Sequence, residues 1–251
     1  MKTAVSEHSA IQLSNIVRSE FTKMISHPTI VLFIFITTIV NLGLAILDAS
    51  GLLLYSASDT PPSTVSEFGI VMFAPIYAFL ILPVCAASSE YQGGQYRMTL
   101  TATPNRQLLI NGKIVAVILA VVCGILVAII PSRLIIHIFS DVGMSDILID
   151  IARWTAVYFF MSMIAFGIAG IARSTIVPLS ILIMIPIFIG TGILQWPEGL
   201  RFLPDQAGMS LLGTPAYEVT ELPPWIAFFT LLVWGLVCTT AYWLSFLRRD
   251  S

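Results

Sequence analysis

Residues 90–113, EYQGGQYRMTLTATPNRQLLINGK, form a polar stretch between two long apolar segments. Arg97, Arg106 and Lys113 stand against the single acid Glu90, so the positive-inside rule places this stretch on the cytoplasmic side of a membrane. Gly93-Gly94 permits a sharp bend, and Tyr91, Met98 and Leu100 supply anchors among polar neighbours. Pro104 then biases Thr103 away from helical geometry. Two readings fit: a short helix on the inner membrane face for another protein to grip, or a solvated loop whose basic residues only set topology.

The rest of the chain decides that a membrane is present. Of 251 residues, 57% are hydrophobic and only 10% charged, against about 25% charged in soluble domains. No water-soluble core could hide that much apolar surface. Cys85, Cys123 and Cys238 are far apart, each inside an apolar run, and read as buried thiols rather than a disulfide framework or zinc set. Glu7 and Glu20 precede the first apolar run, which argues against a cleavable signal peptide.

Residues 1–28 are expected to form an amphipathic interfacial helix. Ile11, Leu13, Ile16, Val17, Phe21, Met24 and Ile25 recur at near-helical spacing between Arg18, Glu20 and Lys23, with the apolar side towards lipid and Pro28 as the break. Residues 29–251 then form one helical domain. Six spans are predicted near 29–47, 68–88, 112–132, 151–171, 175–194 and 225–247. Trp225 and Trp243 mark the ends of the last. With both termini inside, nine Lys and Arg residues are cytoplasmic and only Arg133, Arg153 and Arg201 lie outside, with most acids, Asp205 among them. The residues around Arg173 predict a tight hairpin, and Leu200–Leu212 predicts a re-entrant or interfacial helix.

Catalytic signatures are missing from this pattern. There is no HExxH, no Gly-x-Ser-x-Gly and no GxxxxGK[ST], and no ionisable side chain is placed within the hydrocarbon. Thr37, Thr38 and Asn41 in the first span read as interhelical hydrogen-bonding groups or as contacts to a transported molecule, with Tyr77 a further candidate for the path. Pro75, Pro83, Pro178 and Pro186 are tolerated kinks.

Four features together resemble the six-span permease subunits of type-2 ABC exporters, of the short kind found in Gram-positive bacteria. The stretch VRSEFTKMISHPT (Val17–Thr29) is similar to that family's Arg-x-Glu-x-x-Lys lead-in helix. Glu90, Gly94, Leu100, Pro104, Arg106 and Lys113 match its cytoplasmic element, with Gln95 departing from the small hydroxyl residue usual there. LPDQAGMSLLG (Leu203–Gly213) resembles its outer dip, and Leu247-Arg248-Arg249-Asp250 its usual ending.

The resemblance implies an all-α integral membrane protein with a cytoplasmic coupling helix between spans two and three. It implies no catalytic residue and no metal or cofactor in this chain; two separate ATP-binding subunits would hold ATP and magnesium. A second permease copy or a sister permease would complete the assembly in a bacterial plasma membrane. The coupling residues would be Glu90, Gly94, Tyr96, Arg97, Leu100, Pro104 and Arg106, with Arg18, Glu20 and Lys23 from the lead-in helix. The cargo would be a hydrophobic or amphiphilic compound such as an antimicrobial peptide, a drug or a lipid-like molecule, moved outward. The alternative is a non-transporting membrane sensor or scaffold whose cytoplasmic helix docks another partner.

Overall fold

The structure is a computed structural model and describes residues 12–52, 65, 68–91, 105–138, 143–191, 196–215 and 220–248. Among these, all regular structure is helical. Helix α1 covers Leu13–Ser26 and α2 covers Pro28–Ser50. Pro28 suits the first turn of α2, where its missing N–H leaves no bond unmade.

The second apolar run is jointed into α3 (Gly69–Phe73), α4 (Pro75–Phe79) and α5 (Ile81–Ser88), then a 3-10 turn over Ser89–Tyr91. Both joints have one cause. Pro75 and Pro83 cannot donate to the carbonyls four residues earlier, on Val71 and Phe79, and their rings crowd those carbonyls.

Helices α6 (Arg106–Ala128) and α7 (Ile130–Ile138) form one apolar run with a joint at Ile129, just before Pro131. Helices α8 (Met144–Ala172) and α9 (Ile176–Gly190) make the expected tight hairpin, turned by Arg173 in the left-handed region at φ 52°. Helices α10 (Pro197–Leu200) and α11 (Pro204–Leu212) precede α12 (Pro224–Arg248).

Among the described residues, five segments are long and apolar enough to cross a membrane: Pro28–Ser50, Gly69–Ser88, Arg106–Ile138, Met144–Ala172 and Pro224–Arg248. The architecture is that of a multi-pass membrane protein. The predicted third span, 112–132, extends at both ends to 33 residues, because Pro131 bends the helix without ending it. The predicted fifth, 175–194, differs more. Its helix has 15 residues, about 22 Å at 1.5 Å per residue, short of the roughly 30 Å hydrocarbon core.

Burial separates centre from rim. The second run and α8 are 67% and 61% buried in their apolar windows, whereas α2 and α12 are 22% and 28% buried. Helix α8 is the axis, with α5, α9, α11 and α12 packed on it. The closest seam is with α12, where Gly167 lies on the Cys238 backbone and Gly170 on the Tyr242 ring. Such small residues let helix backbones approach where lipid supplies no hydrophobic drive. The outward faces of α2 and α12 display Phe35, Ile39, Phe229 and Val233, an apolar surface suited to acyl chains.

Two expectations change here. The buried face of α1 (Ile16, Glu20 and Met24) packs on α6 instead of facing lipid, because Gly112 opens a slot into which Ile16 fits. Cys85 and Cys238 are buried as expected, but Cys123 is exposed on the outer face of α6.

Three contacts bring one end of the bundle together. The Arg173 guanidinium lies 5.2 Å from the Tyr91 ring centroid, the Ser88 and Thr175 hydroxyls are 2.8 Å apart, and Trp243 Nε1 donates to Asn111 Oδ1 at 3.0 Å. Arg18, Lys23, Arg106, Lys113, Arg173 and Arg248 gather near this end. Arg133 and Asp150 mark the other end.

Candidate functional site

At the basic end, α1 is clamped to the start of α6 by apolar fit and by charge. A Cβ at Gly112 would come within 2.6 Å of Ile16 Cγ2, so only glycine admits this approach. One turn on, Glu20 points inward at 7% exposure. Its Oε2 lies 3.8 Å from Lys113 Nζ, and its Oε1 accepts from Lys23 Nζ. Lys113 is only 2% exposed, among the most completely buried large side chains. A buried ammonium needs a carboxylate counterpart, and Glu20 supplies it. Glu20, one of the coupling residues the resemblance implies, is therefore turned into the molecule.

The opposite face of α1 is open. Arg18 and Lys23 are exposed there and, with Asn15, Ser19, Thr22 and Ser26, line a shallow hollow of about 560 Å³. Beside it lies a cleft of about 450 Å³ between α1, the start of α2 and the end of α5, reached by Lys23, His27 and Ser89. Arg106 is half-buried as the first residue of α6, whose N-terminus is capped by Asn105 Oδ1 accepting from the Leu108 N–H at 3.1 Å. Glu90 falls in the 3-10 turn that ends the second run. Gly94, Tyr96, Arg97, Leu100 and Pro104 lie outside the described residues.

The four residues assigned to a path through the bundle divide into two places. Thr37 Oγ1 and Thr38 Oγ1 donate back to the carbonyls of Phe33 and Ile34 on their own helix. Asn41 Nδ2 donates to Thr37 O at 3.0 Å and reaches the Tyr158 hydroxyl of α8 at 3.4 Å. Tyr77 instead lines a separate cleft against α9 and α11.

Two further polar groups went unpaired in the sequence. Arg133 donates twice to Asp150, from Nε at 2.8 Å and from Nη2 at 3.1 Å, and His137 Nε2 lies 3.0 Å from the same carboxylate. The guanidinium also stacks over Trp154, 4.7 Å from its ring centroid. This cluster ties α7 to α8. The i, i+4 spacing of Arg133 and His137 was the visible signal, and it needed Asp150 opposite to acquire meaning.

The second group surrounds Asp205 at the start of α11. Asp205 Oδ2 accepts from Gln206 Nε2 at 2.9 Å, and Gln206 Oε1 accepts from Thr220 Oγ1 at 3.1 Å. Ser210 closes the knot between Thr220 O and the Leu222 N–H. Asp205 is 4% exposed, and its Oδ1 has no hydrogen-bond partner among the described residues. Burial pushes this carboxyl above the usual carboxylate range, opposed by Gln206 and by the nearby backbone N–H groups of residues 205 and 206.

The native state thus holds this proton to higher pH than the unfolded chain does. Stability should fall as pH rises from about 4 towards the raised native value, then level off. Asp205→Asn cannot ionise and should flatten that fall, melting no lower than wild type near neutrality. Melting of the detergent-solubilised protein across pH checks this.

Among the described residues no three His, Cys, Asp or Glu side chains come together to hold a metal ion. The arrangement offers docking, clamping and charge burial. No family model and no curated protein matches this sequence.

Proposed function

We propose that this chain is the permease subunit of an ATP-driven exporter in a bacterial plasma membrane, moving a hydrophobic or amphiphilic compound outward. One observation supports this most: the open cationic face of α1, the end of the second apolar run and the first turn of α6 all lie at the same basic end of the bundle. With that end in the cytoplasm, the positive-inside count, both termini inside and six crossings, with the short α9 counted as the fifth, fit together. Two ATP-binding subunits would dock there, and a second permease copy or sister permease would cover part of the apolar rim. Hydrolysis belongs to those subunits, and this chain supplies the surface that feels their closure.

The test is co-purification with the cognate ATP-binding subunits and measurement of ATP hydrolysis in lipid discs. Arg18→Glu reverses an exposed charge and should leave melting unchanged, yet lower permease-stimulated hydrolysis by about tenfold or more, the scale of a lost charge-assisted contact. Arg97→Glu combined with Leu100→Ala should do the same. Unchanged stimulation in both variants sinks the coupling assignment. A partner without nucleotide chemistry would instead favour the sensor or scaffold reading.

A further inference from the structure

The cleft of about 450 Å³ between α1, the start of α2 and the end of α5 lies where two apolar runs meet the basic end of the bundle. Pro28 opens one of these runs and Ser89 directly follows the other. The cleft therefore sits at the depth where hydrocarbon gives way to lipid headgroups. Lys23, Ser26, His27 and Ser89 themselves line it, together with the buried apolar residues Met24 and Ile30. Ser26 and Pro28 are exposed at its edge, and the Lys23 side chain beside them is half-exposed.

Charge sets the sign of the occupant. Among the described residues lining the cleft, Glu20 supplies the carboxylate. It already accepts from Lys23 and lies 3.8 Å from the buried Lys113 ammonium, so an incoming cation would compete with both lysines. With this end in the cytoplasm, nine Lys and Arg residues stand on its side of the membrane against four acids, Glu7, Glu20, Glu90 and Asp250. Such a field concentrates anions at the membrane face, and the anionic lipids of the inner leaflet are the anions already there.

We propose that this cleft binds the headgroup of an anionic phospholipid, a phosphodiester with no ammonium of its own. Lys23 Nζ and the Ser26 and Ser89 hydroxyls donate to the phosphate oxygens, and the glycerol backbone packs on Met24 and Ile30. The acyl chains stay in the bilayer beside the first turns of α2, which expose Val31 and Leu32. A choline or ethanolamine headgroup would bring a second cation against Lys23. The volume falls within the roughly 300–1,000 Å³ of small-molecule sites and suits one headgroup. This inference rests on the basic end facing the cytoplasm and needs no ATP-binding subunit, so it can fail while the ATP-driven reading stands.

The experiment uses the full chain in mild detergent without any ATP-binding subunit. Phosphatidylglycerol and phosphatidylcholine with identical acyl chains are titrated in, and bound lipid is counted by native mass spectrometry. Wild type should hold one phosphatidylglycerol at least about fivefold more tightly, the scale of one basic residue at a membrane surface. Lys23→Gln removes the ammonium, and Ser26→Trp fills the cleft without changing charge; each should erase the preference. Arg18→Gln, on the open face of α1 and outside the cleft walls, should keep it. Melting reports the fold of each variant, and Lys23→Gln decides alone if the tryptophan lowers it. Equal binding of the two lipids to wild type, or a preference that survives in a folded Lys23→Gln or Ser26→Trp variant, overturns the proposal. So does its loss in Arg18→Gln, which would mark diffuse attraction to the whole face. Displacement of phosphatidylglycerol by an equal concentration of inorganic phosphate would mark a site for soluble anions and overturn it too.

Discussion

Replacing Gly167 with alanine is expected to prise α12 away from α8 and to be among the most damaging single changes in the chain. A Cβ there would stand 2.4 Å from both the carbonyl carbon and oxygen of Cys238. Those are backbone atoms, so no side-chain rotation relieves the overlap and the whole helix must shift. Gly170, one turn on, faces the Tyr242 ring at 2.3 Å from a built Cβ, and Tyr242 in turn packs edge-on to Phe166 with centroids 5.1 Å apart. A shift therefore spreads along the seam. Overpacking usually costs about 1–3 kcal/mol, and a clash with backbone at the main helix pair belongs at or above the top of that range. Gly43 is the internal control: nothing lies within 4 Å of its Cβ position on α2. Gly43→Ala should be neutral or stabilising by up to about 1 kcal/mol through helix propensity. Melting of both variants in detergent measures the contrast, and similar values would show that the α8–α12 seam is looser than described.

The second large effect is asymmetric. Glu20→Ala takes one carboxylate away from the buried Lys113 ammonium, a change whose cost approaches the roughly 3–5 kcal/mol of breaking a buried pair. Lys113→Met leaves Glu20 paired with Lys23, whose side chain is half-exposed to solvent, and should cost markedly less. Combining the two should recover most of the loss, because Met fills the lysine's space without its charge. Melting provides the energies, and trypsin cleavage at Arg18 and Lys23 reports whether α1 has come off the bundle. If the double variant is as unstable as Glu20→Ala alone, the pairing is not what holds α1.

The sequence made the greasy helices legible because their signal is local. Apolar runs ended by Gly51 or Arg248 map onto α2 and α12 within about three residues, the run ended by Arg173 misses the start of α8 by seven, and Pro75 marks its own joint. The short α9 was harder to place, since the apolar run 175–194 continues past the Gly190 where the helix ends. Pairings were not legible at all. Two whole apolar runs separate Glu20 from Lys113, and no periodicity within α1 says that Glu20 turns inward. Asp205 read as an outer-loop acid because a carboxylate in a polar-looking stretch is ordinarily solvated. Only the packing of α11 against α12 and α8 reveals that it is buried.

The joints at Ala74 and Leu80 carry a mechanical consequence. Each joint removes backbone hydrogen bonds while Ala74 and Leu80 keep right-handed helical dihedrals, so the second run is a continuous but softer strut. Alongside it, α8 runs unbroken for 29 residues, about 44 Å, and Arg173 at its foot rests on Tyr91. The stiffest member along the bundle is thus α8, and the cation–aromatic contact ties its foot to the end of the softer strut.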